Sequence, residues 1–177
     1  MSTVSKEERA LLVVANLSSE GDPRLERLYE GLDKSAVGLA KHVLQPHYRC
    51  VEALSGTDAP SSNFVDQVIA MAQAPLTRAL DVILILHGWE GKLYFEKDDV
   101  VLTSELRDQL KDASLKHRLR LLYSTACYGA THAVDFVKAG FRVASGAIGV
   151  NTNGPHEYAA LLLHWPKERT FKSVIKA

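Results

Sequence analysis

Short runs of branched apolar residues alternate along this chain with longer stretches in which apolar residues return every three or four positions. Runs of the first kind read as strands buried on both faces, and stretches of the second kind as amphipathic helices. Residues 11–17, Leu11-Leu12-Val13-Val14-Ala15-Asn16-Leu17, predict the first strand. A helix is expected over 23–44, where Leu25, Leu28, Tyr29, Leu32, Ala36, Leu39, Ala40 and Val43 share one face. Asp22 is placed as its N-cap, Pro23 sits at its first position, and Gly31 and Gly38 argue against its continuity. The second strand covers 48–54, followed by a turn-rich loop over 55–63 and a helix over 64–74. Ser62 or Asn63 is placed to cap that helix and Pro75 to stop it. The third strand is 82–86, and residues 92–95 and 100–102 form a small hairpin beyond it. A helix then runs from Thr103 or Ser104 to residue 115, with Glu105 close behind the cap. The fourth strand is 119–123, a helix over 130–139 ends at Gly140, and the fifth strand is 141–145. A Gly/Asn-rich loop over 146–155 leads to helices over 156–165 and 170–177, broken at Pro166.

Strands alternating with helices predict an α/β fold, a three-layer α/β/α sandwich around a mainly parallel sheet. Without internal repeats or a linker, 177 residues make one domain over 1–177, with 1–9 as a polar lead-in. In open sheets of this kind functional groups collect outside the carboxyl ends of the strands. Two residues there carry chemistry. The run 81–86 ends at His87-Gly88, and the run 118–126 ends at Cys127-Tyr128-Gly129, which brings an imidazole and a thiol to one edge of the sheet.

Composition narrows the function. Lys+Arg and Asp+Glu balance at 21 each, so no net charge favours nucleic acid or an anionic membrane as partner. The start of the chain carries no apolar core of a signal peptide, and no apolar run is long enough to span a bilayer. Two cysteines, Cys50 and Cys127, do not make a disulfide scaffold, and a reducing cytoplasm is the expected compartment. There is no phosphate-binding Gly-x-x-x-x-Gly-Lys and no Gly-x-Gly-x-x-Gly. No zinc-like His/Cys spacing occurs, and Cys127 lacks the Arg six residues on that a Cys-based phosphatase loop needs. No cofactor or metal is expected.

A thiolate is a nucleophile, and an imidazole beside it can favour the thiolate or deliver a proton to a leaving group. Ala126 and Gly129 leave room for a carbonyl to approach the sulfur, and a helix starting near Ala130 would aim its N-terminus at it. Backbone N–H groups of Gly88 and Cys127 are the candidate oxyanion hole. Taken alone, a Cys is usually a small buried hydrophobe and a strand-end His a structural hydrogen-bonding group. Both at consecutive strand ends, each followed by Gly within two positions, favour a catalytic pair.

At these residues the chain resembles the caspase-like cysteine peptidases, the clan of caspases, metacaspases, separases, clostripain, gingipains and CHAT domains. That clan has an apolar strand ending in His-Gly and a later one ending in Ala-Cys with Gly two positions on. Here these are His87-Gly88 and Ala126-Cys127-Tyr128-Gly129. A hairpin and helix between the motifs, as over 92–115, and a following strand and loop, as over 141–149, also match, and the C-terminal pattern most resembles CHAT-like members. The resemblance implies a cysteine endopeptidase in which Cys127 forms a thioester acyl-enzyme and His87 acts as general acid/base. Its partner is a peptide or protein substrate, with a homodimer or a regulatory protein completing the cleft. Among substrate-binding residues it points to Glu20 and Asp22 for a basic P1 side chain, Arg142 for an acidic one, and Ser145 in the strand 141–145. The chain departs from the caspase signature. Thr125 precedes Ala126 where caspases have Gln, and His87 lies 40 positions before Cys127 where caspases have about 50. Asp at P1 is therefore not implied.

Two other readings compete. Glutamine amidotransferases and DJ-1-like proteins also carry Cys on a strand-to-helix turn, but take their His from downstream. His132, expected on a helix surface, or His156 with Glu157 would have to serve, and His87 would have no role. A caspase-like scaffold that binds a partner without cleaving it is the non-enzymatic alternative.

Overall fold

The computed structural model describes residues 4–18, 23–113, 115, 117–151 and 154–165. In chain order the elements are β1 (Arg9–Asn16), α1 (Glu26–Leu44), β2 (Cys50–Ser55), α2 (Ser61–Gln73), β3 (Ala79–Trp89), β4 (Lys92–Glu96), β5 (Asp99–Leu102), α3 (Thr103–Asp112), β6 (Leu119–Ser124), α4 (Gly129–Ala139), β7 (Val143–Gly146) and α5 (Gly154–His164). Five strands pair in parallel in the order β2-β1-β3-β6-β7, and β4 and β5 add an antiparallel hairpin. The fold is α/β as expected, with a mixed rather than purely parallel sheet.

The apolar runs are continuous because β1 and β3 are central and covered on both faces. Ala10, Leu12 and Val14 join Leu80, Val82, Leu84 and Leu86 on one face, packed with Phe64, Val68, Leu106, Leu110 and Phe136 from α2, α3 and α4. Leu11, Val13 and Ala15 join Ile83 and Ile85 on the other, packed with Ala40 and Leu44 of α1 and Leu161 of α5. The period of two along each strand thus sorts the side chains into two cores. The same parity sends His87, two residues past Ile85, to the α1/α5 side.

Several boundaries differ from the sequence reading, each for a tertiary reason. Arg9 already belongs to β1, and Lys6–Glu8 forms a 3-10 turn in the stretch expected as a loose lead-in. Both glycines of α1 are accommodated within one continuous helix, which starts at Glu26 after a 3-10 turn at Pro23–Leu25. α2 starts three residues early, at Ser61. Its first N–H and its hydroxyl are both held by the carboxylate of Asp99 from β5, a cap brought from 38 residues away. β3 runs on to Trp89 because its last three residues pair with β4 after its pairing with β6 has ended at Leu84. Asn16 anchors the hairpin to β1 by donating to the carbonyl of Phe95 at 2.7 Å.

The amino edge of the sheet is held by buried charge. Asp81, fully buried in β3, pairs with Arg120 of the neighbouring β6 and accepts the hydroxyl of Tyr48. The indole of Trp165 donates to the Tyr48 oxygen at 2.6 Å. Burial, with the charge of Asp81 beside it, pushes the Tyr48 phenol well above its ordinary value. The expected helix over 170–177 lies outside the described residues. Among the described residues no helix is long and apolar enough to cross a membrane.

Candidate active site

The order of the parallel strands reverses between β1 and β3, and an open α/β sheet offers its crevice at such a switch point. A cavity of about 620 Å³ lies there. His87 from the carboxyl end of β3 and Cys127 from the turn after β6 both line it, so the two residues singled out in the sequence open into one space. Leu17, just past β1, forms part of the same wall.

His87 is held by an atom with no sequence signature. Its Nε2 lies 2.8 Å from the carbonyl oxygen of Leu17. A carbonyl only accepts, so Nε2 carries the proton there and Nδ1 is the nitrogen left to accept one. The Leu17 peptide is fixed in turn by Asp33 of α1, whose two carboxylate oxygens each accept its N–H at 3.0 Å. Burial raises the Asp33 carboxyl above its ordinary value, with the Leu17 and Ser18 N–H groups and the charge of His87 acting against the rise. The ring of Tyr29, four residues before Asp33, meets the imidazole edge-on at 6.1 Å. A carboxylate on the buried stripe of α1 was the signal for Asp33 in the sequence, since a charge among Tyr29, Ala36 and Ala40 needs a partner.

Cys127 sits on a turn clamped to the loop after β7. Tyr128 adopts the left-handed region, φ 56°, which a tyrosine takes only when its surroundings hold it. Its N–H donates to the Gly149 carbonyl at 2.8 Å, and its ring lies 4.8 Å from that of Trp89. Ala130 N–H donates to Ala147 O at 2.8 Å, and the side-chain amide of Asn151 to Thr125 O at 3.0 Å. The sulfur receives the backbone N–H of Asn151 at 3.3 Å. The helix N–H groups expected to face the thiol are used elsewhere. Gly129, Ala130 and Thr131 donate to the carbonyls of Ala126, Ala147 and Tyr128. Asn151, in a stretch the sequence marks only as a Gly/Asn-rich loop, takes that place.

Glycine is required where these segments meet. A Cβ on Gly88 would lie 2.9 Å from the Cys127 carbonyl oxygen and 2.9 Å from Ala126 Cβ, so the two motifs are in backbone contact. A Cβ on Gly146 would lie 2.6 Å from Gly129 Cα, which is how the first turn of α4 seats against the end of β7.

The remaining candidates fall elsewhere. Arg142 is exposed and reaches the carbonyl of His117, beside the start of β6, at the edge of the sheet opposite Cys127. Ser145 pairs with Tyr123 within β7 and does not line the cavity. Glu20 and Asp22 lie outside the described residues. His132 is corrected: instead of facing solvent it is fully buried, 2.7 Å from the Trp89 carbonyl, because α4 packs that face under the end of β3. Burial lowers its pKa below the ordinary value. Among the described residues no three His, Cys, Asp or Glu side chains gather as a metal-binding group.

Comparison of the chain with models of known protein families gives no match, and no curated protein matches it. The geometry of the site is what carries a functional reading.

Proposed function

We propose that this chain is a caspase-like cysteine endopeptidase. One observation carries the reading: His87 and Cys127, from the carboxyl ends of β3 and the next parallel strand β6, open into the same cavity, with the imidazole fixed through Nε2. Cys127 gives its thiol proton to His87 Nδ1 as Sγ attacks the scissile carbonyl, and the oxyanion develops against the main-chain N–H groups of Gly88 and Cys127. The tetrahedral species collapses to a thioester, and the leaving amine takes a proton from His87. Water then attacks the thioester as His87 Nδ1 accepts its proton, and the C–S bond breaks as that proton returns from Nδ1 to the sulfur, restoring the thiol with the acid product. Asp33, acting through the Leu17 peptide, sets the angle of the imidazole.

The amidotransferase-like reading finds less support. It leaves His87 without a role, and of its downstream candidates His132 is spent on the Trp89 carbonyl and does not line the cavity, while the side chains of His156 and Glu157 lie outside the described residues. A non-cleaving scaffold would keep the same geometry without turnover.

Peptide acyloxymethyl ketones carrying mixed P1 residues test the proposal, with the modified residue located by mass spectrometry. Modification of Cys127 but not Cys50, lost in His87→Ala, is the expected result. If no probe modifies Cys127, the chain acts as a binding scaffold and the peptidase reading is wrong.

A further inference from the structure

We infer that the cavity beside Cys127 is a subsite for a large apolar side chain, of the Phe, Leu or Met class, placed immediately before the scissile bond. This rests on the peptidase reading and adds the substrate class to it. The observation behind it is an apolar stripe that the fold leaves half unused. Along α1, Tyr29, Leu32, Ala36 and Leu39 follow one another at helical spacing, and the stripe continues into Ala40 and Leu44. Ala40 and Leu44 are buried against Leu11 and Val13. The earlier part of the stripe instead faces the cavity, across from Ile85 of β3 and with Val150 beyond it. The helix therefore meets the sheet at its carboxyl half and stands off it at its amino half.

Apolar side chains that border an open cavity gain most from an occupant that is itself apolar, since the gain follows the area removed from water. A charged side chain entering such walls loses its hydration without a partner. Among the described residues that line the cavity there is no Asp, Glu, Lys or Arg. Its polar groups are the hydroxyls of Tyr29, Ser35, Thr125 and Tyr158 and the side chains of His87, Cys127 and Asn151; the Tyr158 hydroxyl is held by the Ala36 carbonyl, and His87 and Cys127 are already assigned to the chemistry. The volume of about 620 Å³ lies within the roughly 300–1,000 Å³ of pockets that hold a whole small ligand. It accepts a bulky side chain together with part of the neighbouring residue. The sulfur and the imidazole border the same space, so the side chain that fills it belongs to the residue whose carbonyl is attacked.

Peptide acyloxymethyl ketones identical except at P1 measure this directly, through the second-order rate constant for modification of Cys127. Phe and Leu at P1 should react at least about tenfold faster than Arg, Lys or Asp. Leu39→Asp puts a carboxylate at the rim on a residue already 39% exposed, and should lower the Phe and Leu rates while raising Arg. Ala36→Leu narrows the cavity from inside and should slow Phe more than Leu, which covers the case in which the Asp variant folds poorly. Faster reaction with Arg or Asp in the wild-type chain overturns the inference and leaves Cys127 as the nucleophile. Unchanged preference in both variants also overturns it, because the cavity would then not be the subsite. Modification of Cys127 by iodoacetamide but by no peptide probe removes the peptidase reading, and the subsite with it.

Discussion

The two edges of the sheet put polar groups into the same apolar framework with opposite results. At the amino edge, Asp81, Arg120, Tyr48 and Trp165 are saturated by one another: the carboxylate takes a guanidinium and a phenol, and the phenol oxygen takes an indole N–H. At the carboxyl edge, among the described residues, His87 is tied through one nitrogen, and Cys127 receives one backbone N–H at its sulfur. Satisfied buried groups hold a structure, whereas groups with a lone pair or proton left over toward a cavity are free to react. The cysteines divide in the same way. Cys50 opens β2 at the amino edge, where burial raises its thiol above the ordinary value, and Cys127 faces the cavity.

Substitutions at the two edges should therefore separate activity from stability. The largest effect is expected from Cys127→Ala, which should bring peptide turnover below detection while the urea midpoint stays where it was; retained turnover would mean another nucleophile. His87→Ala should lower kcat by roughly 10²–10⁴, the usual contribution of general acid/base catalysis, again with little change in stability. A negligible loss would move the proton transfer to another group. Asp81→Ala reverses the pattern. It strands Arg120 beside an apolar core and should cost about 3 kcal/mol in denaturant unfolding, with the rate of Cys127 modification per folded molecule unchanged. A normal unfolding midpoint in that variant would deny the amino edge its structural role.

The smallest effect concerns His132, which lies between the motifs without serving the chemistry. Its imidazole is held neutral by burial, so its folded pKa lies below the ordinary 6.5. The unfolded chain then binds the proton more tightly. The stability this provides is complete above pH 6.5 and declines as the pH falls below it. Urea unfolding between pH 7 and 5 should show that decline, and His132→Gln, which keeps a donor for the Trp89 carbonyl, should flatten it. An identical slope in both proteins would mean that His132 binds its proton equally well in the folded and unfolded chain.

Much of this molecule follows from short-range pattern. The runs 10–15 and 82–86 are apolar at every position because β1 and β3 are covered on both faces, and that property is visible in the residues themselves. The stripe of α1 and the hairpin at 92–102 are legible for the same reason: each is a period of 3.6 or 2 read directly from neighbouring positions. His87-Gly88 and Ala126-Cys127 were readable as well, because carboxyl ends of parallel strands share one edge.

What the tertiary structure alone decided involves partners far apart in the chain. The carbonyl that holds His87 belongs to Leu17, 70 residues earlier, and carbonyls carry no residue identity. The donor to Cys127 is a backbone N–H of Asn151, the cap of α2 is Asp99, and His132 turned inward because α4 packs beneath the end of β3. The empty half of the α1 stripe belongs to this group too. Periodicity shows that a face is apolar, but whether the sheet or a cavity lies opposite depends on the angle at which the helix is laid across it.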